Sequence, residues 1–201
     1  MRRLLISVLI TIVLLAVIGG VALAGTTIVA QRQASARADL TSKFGADIVA
    51  LCTNPPPSGK AKTAKGSARY LVIDTLDGVI YSPYQMVLSP DVRATSKADL
   101  TTLVCVKPNH HPFEKEPECA YRGTTKTIHR YSNDVDLKVI DLPGKKTVLD
   151  ANVQGADPAE CPEQTDTFND IQGAPPTPQD FLSLLTGTSR TTGWWLKDGI
   201  A

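Results

Sequence analysis

Thr125-Lys126-Thr127-Ile128-His129-Arg130-Tyr131, Asp134-Val135-Asp136-Leu137-Lys138-Val139-Ile140-Asp141 and Lys146-Thr147-Val148-Leu149-Asp150-Ala151-Asn152-Val153 are three strand-length stretches, separated only by Ser132-Asn133 and Leu142-Pro143-Gly144-Lys145. In the middle stretch Val135, Leu137 and Val139 alternate with Asp136 and Lys138, so one face can be buried and the other solvated. Short polar connections join neighbours that pair antiparallel, and the pattern predicts a meander. The expected class is α+β, β-rich: a small antiparallel sheet with a C-terminal helix.

Upstream, Tyr70-Leu71-Val72-Ile73-Asp74 reads as a short strand followed by a turn at Asp77-Gly78. Pro83 demotes any strand within Val79–Leu88 to an edge. Ser96 is placed to cap one helical turn before a strand at Leu103-Val104-Cys105-Val106, and Pro108–Glu118 reads as a polar loop between Cys105 and Cys119. Leu40, Phe44, Ile48 and Leu51, at spacings of four, four and three, predict an amphipathic helix from Ser35 to Leu51. Pro55-Pro56-Pro57 ends it, and Lys60–Gly66 reads as a flexible basic linker. Gly155–Asn169 is loop-like; Thr177 then caps a helix whose apolar face is Phe181, Leu182, Leu184 and Leu185.

Residues 4–30 carry no charge and are long enough for a bilayer, which a helix crosses with roughly 20 apolar residues. Arg2 and Arg3 precede them, which favours a cytoplasmic N-terminus and an extracytoplasmic domain. Ala22-Leu23-Ala24 has the small-x-small form of a cleavage site, so secretion after cleavage at Ala24 is the alternative; the apolar stretch is longer than the roughly 7–15 residues of a signal peptide's core, which favours a retained anchor. Cys52, Cys105, Cys119 and Cys161 form an even set beyond this segment and contain no Cys-x-x-Cys unit, as expected of two disulfides in an oxidising compartment. These readings divide the chain into a signal-anchor (1–31), a membrane-proximal helix and Pro/Lys-rich linker (32–67), a disulfide-stapled ectodomain (68–187) and a tail (188–201).

The search for chemistry mostly excludes it. With 21 basic and 20 acidic residues among 201, the formal charge of +1 offers no electrostatic case for nucleic acid. Ser58-Gly59-Lys60 lacks the earlier glycine of a phosphate loop, and the prolines before it remove amide donors. Asn109-His110-His111 with Glu114, Glu116 and Glu118 is the only cluster of metal-ligand types, but adjacent histidines in a proline-flanked loop are not preorganised, and no metal or cofactor is expected. Asp134 and Asp136 fall on one strand face, expected to be the solvated one, and no Gly-x-Ser-x-Gly elbow occurs. The basic run Lys60, Lys62, Lys65 and Arg69 suits anionic headgroups or a solvated linker, and Trp194-Trp195 suits a membrane interface or a partner.

From Tyr70 to Leu185, a little over half of the chain, the sequence resembles an uncharacterised family of bacterial exported or membrane-anchored domains. The residues that carry the likeness are Arg93-Ala94-Thr95-Ser96 before Leu103-Val104-Cys105-Val106, then Cys119-Ala120-Tyr121, Ile128-His129-Arg130-Tyr131, and Gly155-Ala156-Asp157-Pro158 followed by Cys161-Pro162. The resemblance implies an envelope location and pairs Cys119 with Cys161 and Cys52 with Cys105; Cys105–Cys119 with Cys52–Cys161 is the alternative. It implies no activity. The expectation is a binding or assembly module of the cell envelope, held in the lipid bilayer through residues 4–30, with an envelope protein as partner; the alternative is an exported hydrolase whose site, around His110, His129 and the strand carboxylates, is non-contiguous.

Overall fold

The computed structural model describes residues 30–63, 67–121, 127–163 and 169–186. Residues 1–29 of the expected membrane segment, and Trp194-Trp195, lie outside that set. Among the described residues no helix is long and apolar enough to cross a membrane.

The architecture is α+β, built on one seven-stranded sheet: β1 (Tyr70–Asp74), β2 (Val79–Ile80), β3 (Thr102–Pro112), β4 (Glu118–Ala120), β5 (Thr127–Asp141), β6 (Lys146–Val153) and β7 (Ile171–Gln172). The expected antiparallel sheet is in fact mixed. β1 lies parallel to β3, and β7 parallel to β5, while β3, β4 and β6 run antiparallel to β5. After β1 the chain turns back through Asp77-Gly78 into β2, antiparallel at the sheet edge, and then crosses over one sheet face through a short helix α3 (Ser82–Gln85) and a 3-10 turn (Pro90–Val92), a crossover that returns it parallel to β1 as β3.

The meander is corrected in a second respect. Ser132-Asn133 is no turn, because β5 runs unbroken through it, with Ser132 opposite His111 and Asn133 opposite His110. β3 likewise continues through Pro108–Pro112, where a loop was expected. The prolines fit because the carbonyl of Val106 faces β1, accepting from Thr75 (2.8 Å), and alternate residues of a strand point the same way. The nitrogens of Pro108 and Pro112 therefore face the open edge beyond β1, where no ladder bond is lost.

The period-two pattern sorts the core onto both faces. Leu71, Ile73, Leu103, Cys105 and Ile140 point to one side; Val72, Val104, Val106, Val135, Leu137 and Val139 point to the other. The first face is covered by α1 (30–44) and α2 (Ala46–Thr53), which bury Leu40, Phe44 and Ile48 as their spacing predicts. The expected single helix is broken at Gly45, whose φ of 89° no ordinary residue adopts without strain. α1 runs antiparallel to β1: Arg37 donates to the carbonyl of Asp77 just past the end of β1, and the carbonyl of Lys43 accepts from Lys97 beside the start of β1. Residues 30–39 are exposed, with Arg37 still reaching the turn after β1. The second face is covered by α3 and the C-terminal helix α4 (Pro178–Thr186), joined where Tyr84 stacks on Phe181 at 4.5 Å and donates to Pro176. Fully burying side chains of this size contributes about 1.5–3 kcal/mol each.

The irregular return from β6 to α4 is held by close backbone approach. Ala156 donates to Ala174 (2.8 Å) and Gly173 to Tyr131 (2.9 Å). A Cβ on Gly173 would fall 2.0 Å from the carbonyl oxygen of Ala156, and one on Gly155 would fall 2.3 Å from those of Ala174 and Asn133. Because backbone and not a flexible side chain blocks both positions, Gly173→Ala is expected to cost more than about 2 kcal/mol, against a few tenths for an alanine at an open loop position, read as a shift in urea midpoint.

Candidate functional site

Beyond Val106 the partner strand β1 has ended, and β3 and β5 continue as a ribbon flanked by β4 and β7. β4 lies on the β3 side of β5, since Arg130 accepts from the amide of Phe113 (2.9 Å) and donates to the carbonyl of Pro117 (2.7 Å). Register then gathers one set of side chains on one face: His110 opposite Asn133, Tyr131 opposite Pro112, and His129 opposite Glu118. The ring of His110 stacks on Tyr131 at 4.4 Å and its Nδ1 lies 2.8 Å from Asn133 Oδ1. His129 follows at 6.4 Å from Tyr131, with its Nδ1 3.5 Å from Glu118 Oε1. The result is a column of three rings on the ribbon, in which His110 and His129 are exposed to solvent.

His111 points to the opposite face, so the adjacent histidines never converge. Its Nε2 lies 3.1 Å from Asp134 Oδ2, and its Nδ1 lies 3.1 Å from the carbonyl of Pro112. Both ring nitrogens face acceptors, which only the protonated imidazole satisfies together. The bond to Asp134 is accordingly the main cause that raises the pKa of His111 above the ordinary histidine value. Asp134, expected on a solvated face, is instead buried, with its other oxygen accepting from Gly155 (3.2 Å); Asp136 is half-buried and accepts from Asn152. Beside this clasp Arg130, 4% exposed, donates to the carbonyl of Pro158 at 3.0 Å, pairs with Glu116 and lies 4.8 Å above the ring of Phe113. The Cys119–Cys161 disulfide closes the same corner, and Cys52–Cys105 ties α2 to β3. Both pairings are those the family resemblance implies.

The other end of the sheet is organised by a residue the sequence reading passed over. Asp141, 1% exposed, accepts from the amides of Lys62 (2.9 Å), Thr63 (3.1 Å) and Gly144 (2.8 Å). Burial alone would raise its pKa; the amides of Lys62, Thr63 and Gly144 outweigh it, and the net shift is downward. Residues 60–63, expected in a flexible linker, are thereby held to the sheet. Thr147 extends the attachment, donating to the carbonyls of Pro56 (2.6 Å) and Pro57 (3.1 Å) and accepting from Gly59 (3.0 Å). The Gly59 amide is thus spent inside the fold, which agrees with rejecting a phosphate loop there. A largely apolar cavity of about 90 Å³ adjoins Asp141, walled by Tyr70, Val139, Leu149 and Leu185 among others. The one signal of this cradle was Asp141 opening Asp-Leu-Pro-Gly, where an aspartate commonly accepts from the amides of its own turn.

The chemistry available is narrow. No cysteine is free to act as a thiolate, and among the described residues no group of three His, Cys, Asp or Glu is placed to hold a metal ion. Glu118 and His129 form a carboxylate–imidazole pair of the kind that can relay a proton; by register Thr127, Tyr131, Asn133 and His110 share their face, and among the described residues that face holds no thiol or serine. The ring column is better suited to contact than to turnover, because Tyr and His combine an apolar body with a polar tip.

Two titrations follow. A histidine whose folded pKa is raised adds stability that is complete below its unfolded value near 6.5 and lost as pH rises through the folded value. The unfolding free energy should therefore fall as pH rises above about 6.5, and His111→Gln should flatten that slope in urea titrations. Asp141 works in the opposite sense: its contribution is present above the unfolded value of 3.8 and lost as pH falls through the lower folded value. Asp141→Asn, which sets an NH2 against amide donors, should cost about 1–3 kcal/mol at neutral pH and reduce the acid-limb loss, measured by the same unfolding curves.

Set against protein-family models, curated proteins and solved structures, the chain matches none of them.

Proposed function

We propose that the protein is a binding or assembly module of the cell envelope, anchored by residues 4–30 in a lipid bilayer with its N-terminus cytoplasmic and its folded domain extracytoplasmic. The observation that carries this reading is the pair of disulfides, Cys52–Cys105 and Cys119–Cys161, which use every cysteine of the chain. Such bonds persist in oxidising compartments and are rare in the cytosol. The uncharged segment 4–30 supplies the route there, and the resemblance to exported domains agrees with it. Binding is favoured over catalysis by the ring column, in which His110 and His129 are exposed and Tyr131 is half-buried, and by the lack of a thiol or serine beside it among the described residues. An exported hydrolase is the second reading, favoured by the Glu118–His129 pair.

Membrane fractionation of expressing cells tests the first reading. The full-length chain is expected in the membrane pellet, resistant to carbonate extraction, digested by protease added outside the inner membrane, and unreactive towards maleimide after denaturation until a reductant is added. Recovery in the cytosol with four reactive thiols would overturn it. Hydrolytic turnover of an ester or glycoside by the purified protein, abolished by His129→Ala, would install the hydrolase instead.

A further inference from the structure

We infer that the cavity beside Asp141 is a binding site for a small, uncharged aliphatic alcohol, or for the hydroxyl-bearing end of a longer uncharged molecule. The site is separate from the ring column, and it stands whether or not the chain is anchored in a membrane.

Strand register builds the floor. Tyr70 of β1 lies opposite Thr102 of β3, and Thr102 opposite Asp141 of β5, so three side chains with polar tips stand in a row on the sheet face that α4 covers. The next row on that face is apolar, with Val139 opposite Leu149. α4 brings Leu184 and Leu185 over them from its last turn, and Ala61 and Thr63 also line the space, which is about 90 Å³. A cavity of about 150 Å³ lined by apolar side chains takes benzene, so this one takes about four carbon atoms.

The polar end of the cavity is incompletely satisfied. Asp141 Oδ2 accepts from the amides of Lys62 and Gly144, but Oδ1 accepts only from the amide of Thr63 (3.1 Å). An ionised carboxylate takes about four hydrogen bonds, which leaves one place on Oδ1. The hydroxyl of Thr63, in the same wall, is buried with no hydrogen-bond partner, and buried polar groups are rarely left so. Charge then selects the head group of the ligand. An anion would lie against the Asp141 carboxylate. A cation would be opposed by Lys60, Lys62 and Lys145, exposed on the two segments that hold Asp141, and would lose more hydration on entering apolar walls. A neutral hydroxyl avoids both penalties, donating to Oδ1 and accepting from the Thr63 hydroxyl. Water can do the same but gains nothing from the apolar walls, whereas each CH2 of a short chain buried there favours binding.

Methyl NMR of the full-length chain, titrated with n-butanol, n-butylammonium and butyrate, tests the assignment. n-Butanol is expected to give saturable shifts at Val139, Leu149 and Leu185 with millimolar affinity, while Leu71 and Ile73, on the opposite sheet face, stay still. The ammonium and the carboxylate are expected to bind several-fold more weakly. Thr63→Val, which keeps the backbone amide on Asp141, is expected to weaken n-butanol several-fold with the circular dichroism spectrum unchanged. Absence of any shift at the three lining residues would overturn the site, as would shifts that grow without saturation at every methyl alike, the mark of non-specific partition. Equal affinity for all three probes would overturn the hydroxyl as the head group, and n-butanol binding undiminished by Thr63→Val would overturn the polar end.

Discussion

A strand of fifteen residues presents backbone donors and acceptors along both edges, and the rest of this fold is arranged to satisfy those of β5. β3 takes one edge from Pro112 to Thr102 and β4 extends it, while β6 and β7 share the other. No single partner is long enough for either whole edge, so the chain returns to β5 four times. Unpaired and buried, each of those groups would cost about 1–3 kcal/mol, comparable with a core side chain. The two helical layers then have a fixed platform: α1 and α2 on one face, α3 and α4 on the other.

What the sequence made legible was whatever repeats. The alternation in Val135–Val139 and the spacing of Leu40, Phe44 and Ile48 both end in buried faces, and Thr177 caps α4 in reciprocal bonds with Asp180. The failures share a cause: local signals were given meanings that tertiary position revoked. Pro108 and Pro112 read as loop because a central strand cannot hold them, yet they lie where the outer edge has lost its partner. Ser132-Asn133 read as a turn because both residue types favour turns, but Asn133 spends its side chain on His110 and on the carbonyl of Gly173. Parallel pairing of β1 with β3 left no local trace at all, since it depends on which face a crossover takes.

The candidate site was legible in composition and not in geometry. His110, His129 and the nearby carboxylates were visible as residue types, but only the register of β3 on β5 puts His110 with Tyr131 and sends His111 to Asp134 on the reverse face. Asp141 shows the same limit from the other side. A single aspartate before Pro-Gly looks like an ordinary turn residue, and nothing nearby announces that Lys62 and Thr63 will bring their amides to it from nearly eighty residues away.

The two ends of the sheet are held by different physics. Where β1, β3, β5 and β6 lie side by side, helices cover both faces and apolar burial dominates. In the ribbon beyond Val106 apolar burial narrows to Val135, Phe113, Cys119 and Ile128, and directional contacts add to it: the Arg130 knot with Glu116, Pro158 and Phe113, the His111–Asp134 clasp, and Cys119–Cys161. A disulfide closing a loop of 42 residues removes on the order of 4 kcal/mol of chain entropy from the unfolded state, which is most valuable where burial is least. Directional contacts also leave side chains at the surface that a hydrophobic core would have consumed. The same thinning of burial that gives the second disulfide more to contribute leaves His110 and His129 exposed and Tyr131 half-buried on one face.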